Sequence, residues 1–184
     1  MLSRTSNQFG PISTVGKARA AYRYYRWSVT KIRDYTQDLP TWPIGMVQAA
    51  EVQLFFAGTS IGITGATCTN PGGSNPVGEE PTKANDGTVT TKWLDYSGNG
   101  VVGSVDTGST ASRKLVIDFG SGVRKVADAF RYATANDVDG RDAVQWTFEG
   151  SNDNVNWKTL HTQSTDASIT VSRQTFTQLF YFQV

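Results

Sequence analysis

From Lys114 onward the chain is a rapid succession of short apolar runs cut by turn residues: KLVIDFG, ADAFRYATA, AVQWTFEGSND, NWKTLHTQS and RQTFTQLFYFQV. Runs this short, at this spacing and with this many aromatic and β-branched residues, predict strands of an antiparallel sandwich or barrel. The start of the chain fits the same reading. In YRYYRWSVTKIRD, residues 22–34, Tyr25, Trp27 and Val29 alternate with Tyr24, Arg26, Ser28 and Thr30, the period-two pattern of a half-buried strand. A further strand is expected at VQLFFAG, residues 52–58, and no segment sustains a helical period.

The 184 residues suit one domain, 22–184, preceded by an extended arm, 1–21, in which Gly10, Pro11 and Gly16 break any periodicity. A domain of this size buries roughly 70% of its unfolded surface, so it needs no disulfide or metal merely to supply a core. Three loops interrupt the strands: DYTQDLPTWPIGM with Pro40, Pro43 and Trp42, TNPGGSNPVGEEP at 69–81, and the Gly- and Ser-rich DYSGNGVVGSVDTGSTAS at 95–112.

Charge is unevenly placed. Residues 1–33 hold seven basic side chains and no acidic one, leaving ten basic and sixteen acidic residues in the remainder. Such an arm can lie on an acidic neighbour, while the alternation within 22–34 argues for a strand rather than a nucleic-acid-binding segment. Cys68 stands alone and is expected to be a buried, inert thiol. The first residues lack the apolar core of a signal peptide and no later run reaches membrane-spanning length, so a soluble product made in the cytosol is expected.

At AVQWTFEGSNDNVNW, residues 143–157, the chain resembles the discoidin or coagulation factor 5/8 type C superfamily, also called galactose-binding-like, in which a strand turns through an Asp-centred hairpin to a Trp. LVIDFG resembles the strand that this family ends in Asp-Leu-Gly, and KANDGTVTTKW its Asp-Gly loop running to Thr-x-Trp. The resemblance covers roughly residues 60–184. It implies an all-β, antiparallel jelly-roll β-sandwich. The family's closing strands resemble RYYRWSV, residues 23–29, and AAEVQLFF, residues 49–56, which here come first, so the strand order is expected to be circularly permuted. Permutation is cheap when native termini lie together, because it alters loop closure and leaves sheet contacts intact. It would set the strand of Trp27 beside the C-terminal run LFYFQV.

The same resemblance implies a structural calcium ion, held by Asp86, Thr91 and Glu51 with the carbonyls of Lys83, Thr88 and Ala50. Calcium requires six to eight hard oxygens. Without the ion, Asp86 would simply accept backbone N–H bonds in a turn. The resemblance further implies a shallow glycan site on the loops at one end, for which Trp42, Tyr96, Asn136 and Arg141 are the candidates: an aromatic ring stacks on a sugar face while polar side chains bond its hydroxyls.

Nothing in the sequence marks an enzyme. His161 is the single histidine, read as a polar strand residue, and Asp137, Asp139, Arg141 and Asp142 in TANDVDGRD read as a loop braced by Arg-carboxylate bonds rather than as an acid/base set. TANDVDGRD and EGSND look like modules of bacteriophage virion and tail proteins. The expected function is therefore a non-catalytic virion protein, decoration, fibre or tail-associated, that adheres to a glycan. It would be multimeric in the particle, contact other virion proteins through its N-terminal arm, and neither bind nucleic acid nor insert into a membrane. The alternatives are a docking or cement protein with no sugar ligand, and a carbohydrate-binding module serving a separate enzyme.

Overall fold

In the computed structural model, which describes residues 19–34, 45–63, 65–96 and 113–183, the alternating run near the start of the chain becomes β1 (Ala21–Tyr22) and β2 (Tyr24–Ile32). There follow β3 (Val47–Ala49), β4 (Glu51–Phe56), β5 (Thr59–Ser60), β6 (Thr67–Thr69), β7 (Trp93–Asp95), β8 (Lys114–Asp118) and β9 (Lys125–Val126). The last four strands are β10 (Ala129–Ala133), β11 (Ala143–Ser151), β12 (Lys158–Gln163) and β13 (Phe180–Tyr181). Five strands form one sheet in the order β12-β11-β2-β8-β6, four form another in the order β13-β10-β4-β5, and β1-β9 and β3-β7 are two-stranded ribbons. The strand pairs are antiparallel throughout. The chain is all-β, as its spacing of apolar runs predicts.

The two larger sheets meet through aromatic side chains. Tyr25, Trp27 and Val29 of β2 are fully buried, on the face that the alternation assigns to the core. Trp27 lies 4.9 Å from the Tyr132 ring of the opposite sheet, and Phe130 stacks on Phe148 at 4.3 Å. Rings in such offset and tilted contacts add to the burial of their large apolar area. Truncating Trp27 to Ala is expected to cost about 3–5 kcal/mol. Basic side chains in and beside β2 are paired with carboxylates: Arg26 with Glu149 across strands at 2.6 Å, Arg23 with Asp118 at 2.7 Å and Lys31 with Asp166 at 2.7 Å. The basic residues of this segment are thus engaged with the protein's own carboxylates.

Two expectations need correction. The strand bearing Trp27 does not neighbour the C-terminal run. Its partners are β8 and β11, while β13 pairs with β10 in the other sheet. Phe180 reaches the shared core from that opposite side, its ring 4.7 Å from Trp146. The run RQTFTQLFYFQV also yields only a two-residue strand and one bridge, Ala133 to Phe176. Side chains compete with the ladder there: the Thr134 hydroxyl accepts from Thr175 N at 3.1 Å and donates to Ser172 O at 2.7 Å, and Gln174 takes a positive φ of 53°.

Candidate functional site

One excursion of the chain, from Glu79 to Leu94, carries most of the polar groups that converge at one end of the molecule. It is closed by Leu94 N–H donating to Glu79 O at 3.1 Å. Pro81 opens a 3-10 turn, Pro81–Asn85, in the position where a missing N–H costs nothing. The buried Asn85 amide pins that turn by donating to Ala66 O at 2.8 Å. Gly87 then reverses the chain at a φ of +86°, which a side chain would resist.

The reversal brings together the side chains of three predicted metal ligands, Asp86, Thr91 and Glu51, from both parts of the sequence. Asp86 accepts from the Thr91 hydroxyl at 2.7 Å and from Thr88 N–H at 3.2 Å, with Lys83 Nζ 3.7 Å away. Glu51, at the start of β4, accepts from Gly87 N–H at 2.6 Å and Thr88 N–H at 3.0 Å. Ala50, beside it, is buried and donates its N–H to Ala133 O. Burial pushes the Glu51 carboxyl up to about 7, and the neighbouring Asp86 charge adds to this against the two N–H donors. Two carboxylates, a hydroxyl and the carbonyls of one tight loop are a hard-oxygen set of the kind calcium takes. No cluster of three or more His, Cys, Asp or Glu side chains suited to a metal occurs among the described residues, so Thr and backbone oxygens would have to complete the shell.

The ends of the same excursion wall a cleft of about 380 Å³. Met46, Leu94 and Val138 give it an apolar lining, and Tyr96 and Arg141, both singled out in the sequence, lie in it together. Asn136 is exposed on the adjoining loop but is not part of the wall, and Trp42 lies outside the described residues.

The charged groups of this cleft were not legible as a set. Lys92 Nζ lies 2.5 Å from Asp137 Oδ2 and 3.6 Å from Glu79 Oε1, and Arg141 Nη1 is 3.8 Å from Asp137. The cations sit behind, at 6% and 10% side-chain exposure, and the carboxylates in front, Glu79 at 31% and Asp137 at 41%. Burial alone would raise Asp137, but Lys92 and Arg141 outweigh it and hold the carboxyl below its ordinary range. The cleft therefore presents two carboxyl groups as acceptors over an apolar lining. In the sequence, Lys92 gave no sign beyond its place before Trp93, and Glu79 lay in a loop read only for its turn residues.

The remaining expected features are structural. Asp142, fully buried, receives Arg173 in a bidentate pair at 2.7 and 2.8 Å, which is the bracing expected of TANDVDGRD. His161 is on β12, as expected, and is buried. Its Nδ1 is 3.0 Å from Tyr181 O, and its ring stacks on Trp146. Cys68 is buried in β6, and burial pushes its thiol up to about 12, which keeps it protonated and inert. No protein-family model, no curated protein and no solved structure matches this chain.

Proposed function

We propose that this chain is a non-catalytic adhesion module of a bacteriophage virion, a discoidin-like jelly roll of permuted strand order that takes a glycan in the cleft beside Tyr96. The observation that carries the reading is the cleft's inside-out charge arrangement. Glu79 and Asp137 face the ligand while Lys92 and Arg141 stand behind them. Fixed acceptors suit a ligand rich in donors, and vicinal sugar hydroxyls supply donors in pairs. The Tyr96 ring and the apolar lining would cover the sugar's C–H face. A neutral pyranose fits this arrangement better than an acidic one, which would meet two carboxylates.

Calcium in the Asp86 loop would serve the same site indirectly. The residues that would hold it are Glu51, Asp86 and Thr91 with the carbonyls of Ala50, Lys83 and Thr88. When bound, the ion supplies charge neutralisation for two adjacent carboxylates. The chain's own contribution is the short excursion that joins this loop to the cleft wall through Glu79 and Lys92. The virion assignment rests on the sequence resemblance of TANDVDGRD and EGSND, and the arm, residues 1–21, would contact a neighbouring particle protein.

Glycan-array binding or whole-cell adsorption tests the reading. Tyr96→Ala is expected to reduce binding of neutral sugars while the melting temperature barely moves, and Asp137→Asn to reduce it with some loss of stability, because the buried Lys92 loses a charged partner. Undiminished binding in both variants removes the cleft from the site. The alternative reading is a cement protein with no sugar ligand. Incorporation into particles without binding to any sugar would select it.

A further inference from the structure

The loop that carries Asp137 and Arg141 into the cleft, residues 136–141, has its two stems tied together by one side chain from a distant segment. Arg173 Nε donates to Ala135 O at 3.0 Å, on the stem before the loop. Its Nη1 and Nη2 donate to the two oxygens of Asp142 at 2.8 and 2.7 Å, on the stem after it. Asp137 stands two residues beyond the first of these anchors and Arg141 one residue short of the second. Arg173 is not part of the cleft wall, so it acts on the cleft through the loop.

The loop's other anchors are divided between its halves. The end of β2 and the strand β3 hold the later half: Gln48 Nε2 donates to Val138 O at 2.7 Å, Arg33 Nε to Asp139 O at 3.2 Å, Asp34 N–H to Gly140 O at 2.8 Å and Arg33 N–H to Asp142 O at 2.9 Å. The earlier stem is bonded instead to segment 172–175, through Thr134 N–H to Thr175 O at 3.0 Å and Gln174 N–H to Ala135 O at 3.1 Å. Arg173 joins the two sets. A guanidinium is a rigid planar fork, so three donors engaged at once fix the distance between the groups they reach. That distance decides how Asp137 on the earlier side meets Lys92 at 2.5 Å and Arg141, on the later side, at 3.8 Å.

From this we infer that Arg173 is a positioning residue for the cleft: by fixing the separation of the loop's stems it sets where Asp137 stands against Lys92 and Arg141, and with it the spacing of the acceptors offered to a pair of sugar hydroxyls. Without that span the later half stays on β2 and β3 while the earlier stem moves alone, and Asp137 parts from Lys92. The inference rests on the glycan reading for what the cleft binds, and not for the geometry that Arg173 sets.

Arg173→Ala would strand the fully buried Asp142 carboxylate without its bidentate partner and cost the fold much of its stability, so Arg173→Lys is the deciding variant. Its ammonium keeps a positive charge on Asp142 and lacks the fork that reaches Ala135 O at the same time. Both readouts are taken at pH 8, where Asp142, whose carboxyl burial pushes up to about 7, is ionised. The first is acetylation of Lys92 by an N-hydroxysuccinimide ester, followed by peptide mass spectrometry. Lys92 of the wild type, at 6% side-chain exposure and held by Asp137, is expected to resist, and in Arg173→Lys to approach the reactivity of the exposed Lys125. The second is affinity for lactose, maltose and N,N′-diacetylchitobiose, expected to fall roughly fivefold or more in the variant, as for the loss of one hydrogen bond. The melting temperature should stay close to that of the wild type.

Unchanged protection of Lys92 in Arg173→Lys overturns the inference whether or not a sugar binds. So does faster acetylation with unchanged sugar affinity, and so does a collapse of the melting temperature, which would make Arg173 a residue of the fold at large. Wild-type protein that binds none of the three sugars counts against the glycan reading alone, and the reactivity of Lys92 then decides the positioning role by itself.

Discussion

Two Asp-centred turns look alike in the sequence, NDG at 85–87 and NDN at 152–154, and behave as opposites in the structure. Asp153 has every oxygen satisfied by its own hairpin, and the Asn156 side chain, with the backbone N–H groups behind it, draws its pKa well below the usual carboxylate range. Asp86 is served by fewer donors and has Glu51 beside it, with a carboxyl that burial pushes up to about 7. The first turn is closed and needs nothing. The Asp86 turn brings carboxyls from two distant parts of the chain together, with Lys83 Nζ 3.7 Å from Asp86, and would be relieved further by the proposed calcium ion. A local sequence motif thus fixes the turn, while the neighbour that folding delivers decides whether the turn becomes a site.

The largest expected effect tests that contrast directly. If the Asp86 loop binds calcium, the ion stabilises the folded chain by about 2.7 kcal/mol when free calcium stands a hundredfold above its dissociation constant. Chelation should lower the melting temperature of the wild type, and Asp86→Ala should abolish the sensitivity. Identical melting of metal-depleted protein with and without calcium would erase the distinction between the turns.

Next in size is a change on the closed side. Gly150→Ala drives a Cβ into the Tyr22 ring and is expected to cost about 1–3 kcal/mol, as overpacking does, with no dependence on calcium. Denaturant titration of the variant measures it. A calcium-dependent loss would mean that the two ends are coupled.

A further effect follows from proton linkage at Glu51. The folded carboxyl is raised from 4.5 to about 7, so the folded state holds a proton that the unfolded chain has already released. Its contribution is full below about 4.5 and is lost as pH rises through about 7, so metal-free protein should become less stable across that window. Glu51→Gln should flatten the slope seen in thermal melts from pH 4 to 8, and an unchanged slope would assign it to other groups. The smallest effect is expected for Asp153→Asn, which keeps one carbonyl acceptor for the turn's backbone donors. Its melting temperature should fall slightly and equally with and without calcium.

The strands were legible wherever one face is buried. Trp27, Leu115, Phe130, Trp146 and Phe148 each sit on the alternating positions that their runs mark as apolar. Partnership was not legible, because period-two patterning states which face is buried and is silent on which strand lies alongside. β2 was expected beside LFYFQV from the permutation that the resemblance implies, and it is found between β8 and β11. The same limit applied to the sites. Asp86, Thr91 and Glu51 were readable through a motif, whereas Lys92, Glu79 and Asp137 become a set only when the Glu79–Leu94 excursion packs against the loop of Asp137.

The central position of β2 also sets the order in which this chain can fold as it is made. Its partners, Lys114–Asp118 and Ala143–Ser151, are synthesised long after it, and the loop closures that join them are among the longest the fold contains. Until those segments emerge, a strand bearing Tyr25, Trp27 and Val29 has both hydrogen-bonding edges open and its aromatic face uncovered. Long-range pairing of this kind is slow, and exposed apolar edges invite association with other nascent chains. Arg23, Arg26 and Lys31, which later find Asp118, Glu149 and Asp166, place positive charge along that waiting strand. Before they are salt-bridge partners they are mutual repellents, keeping copies of an unfinished sheet apart.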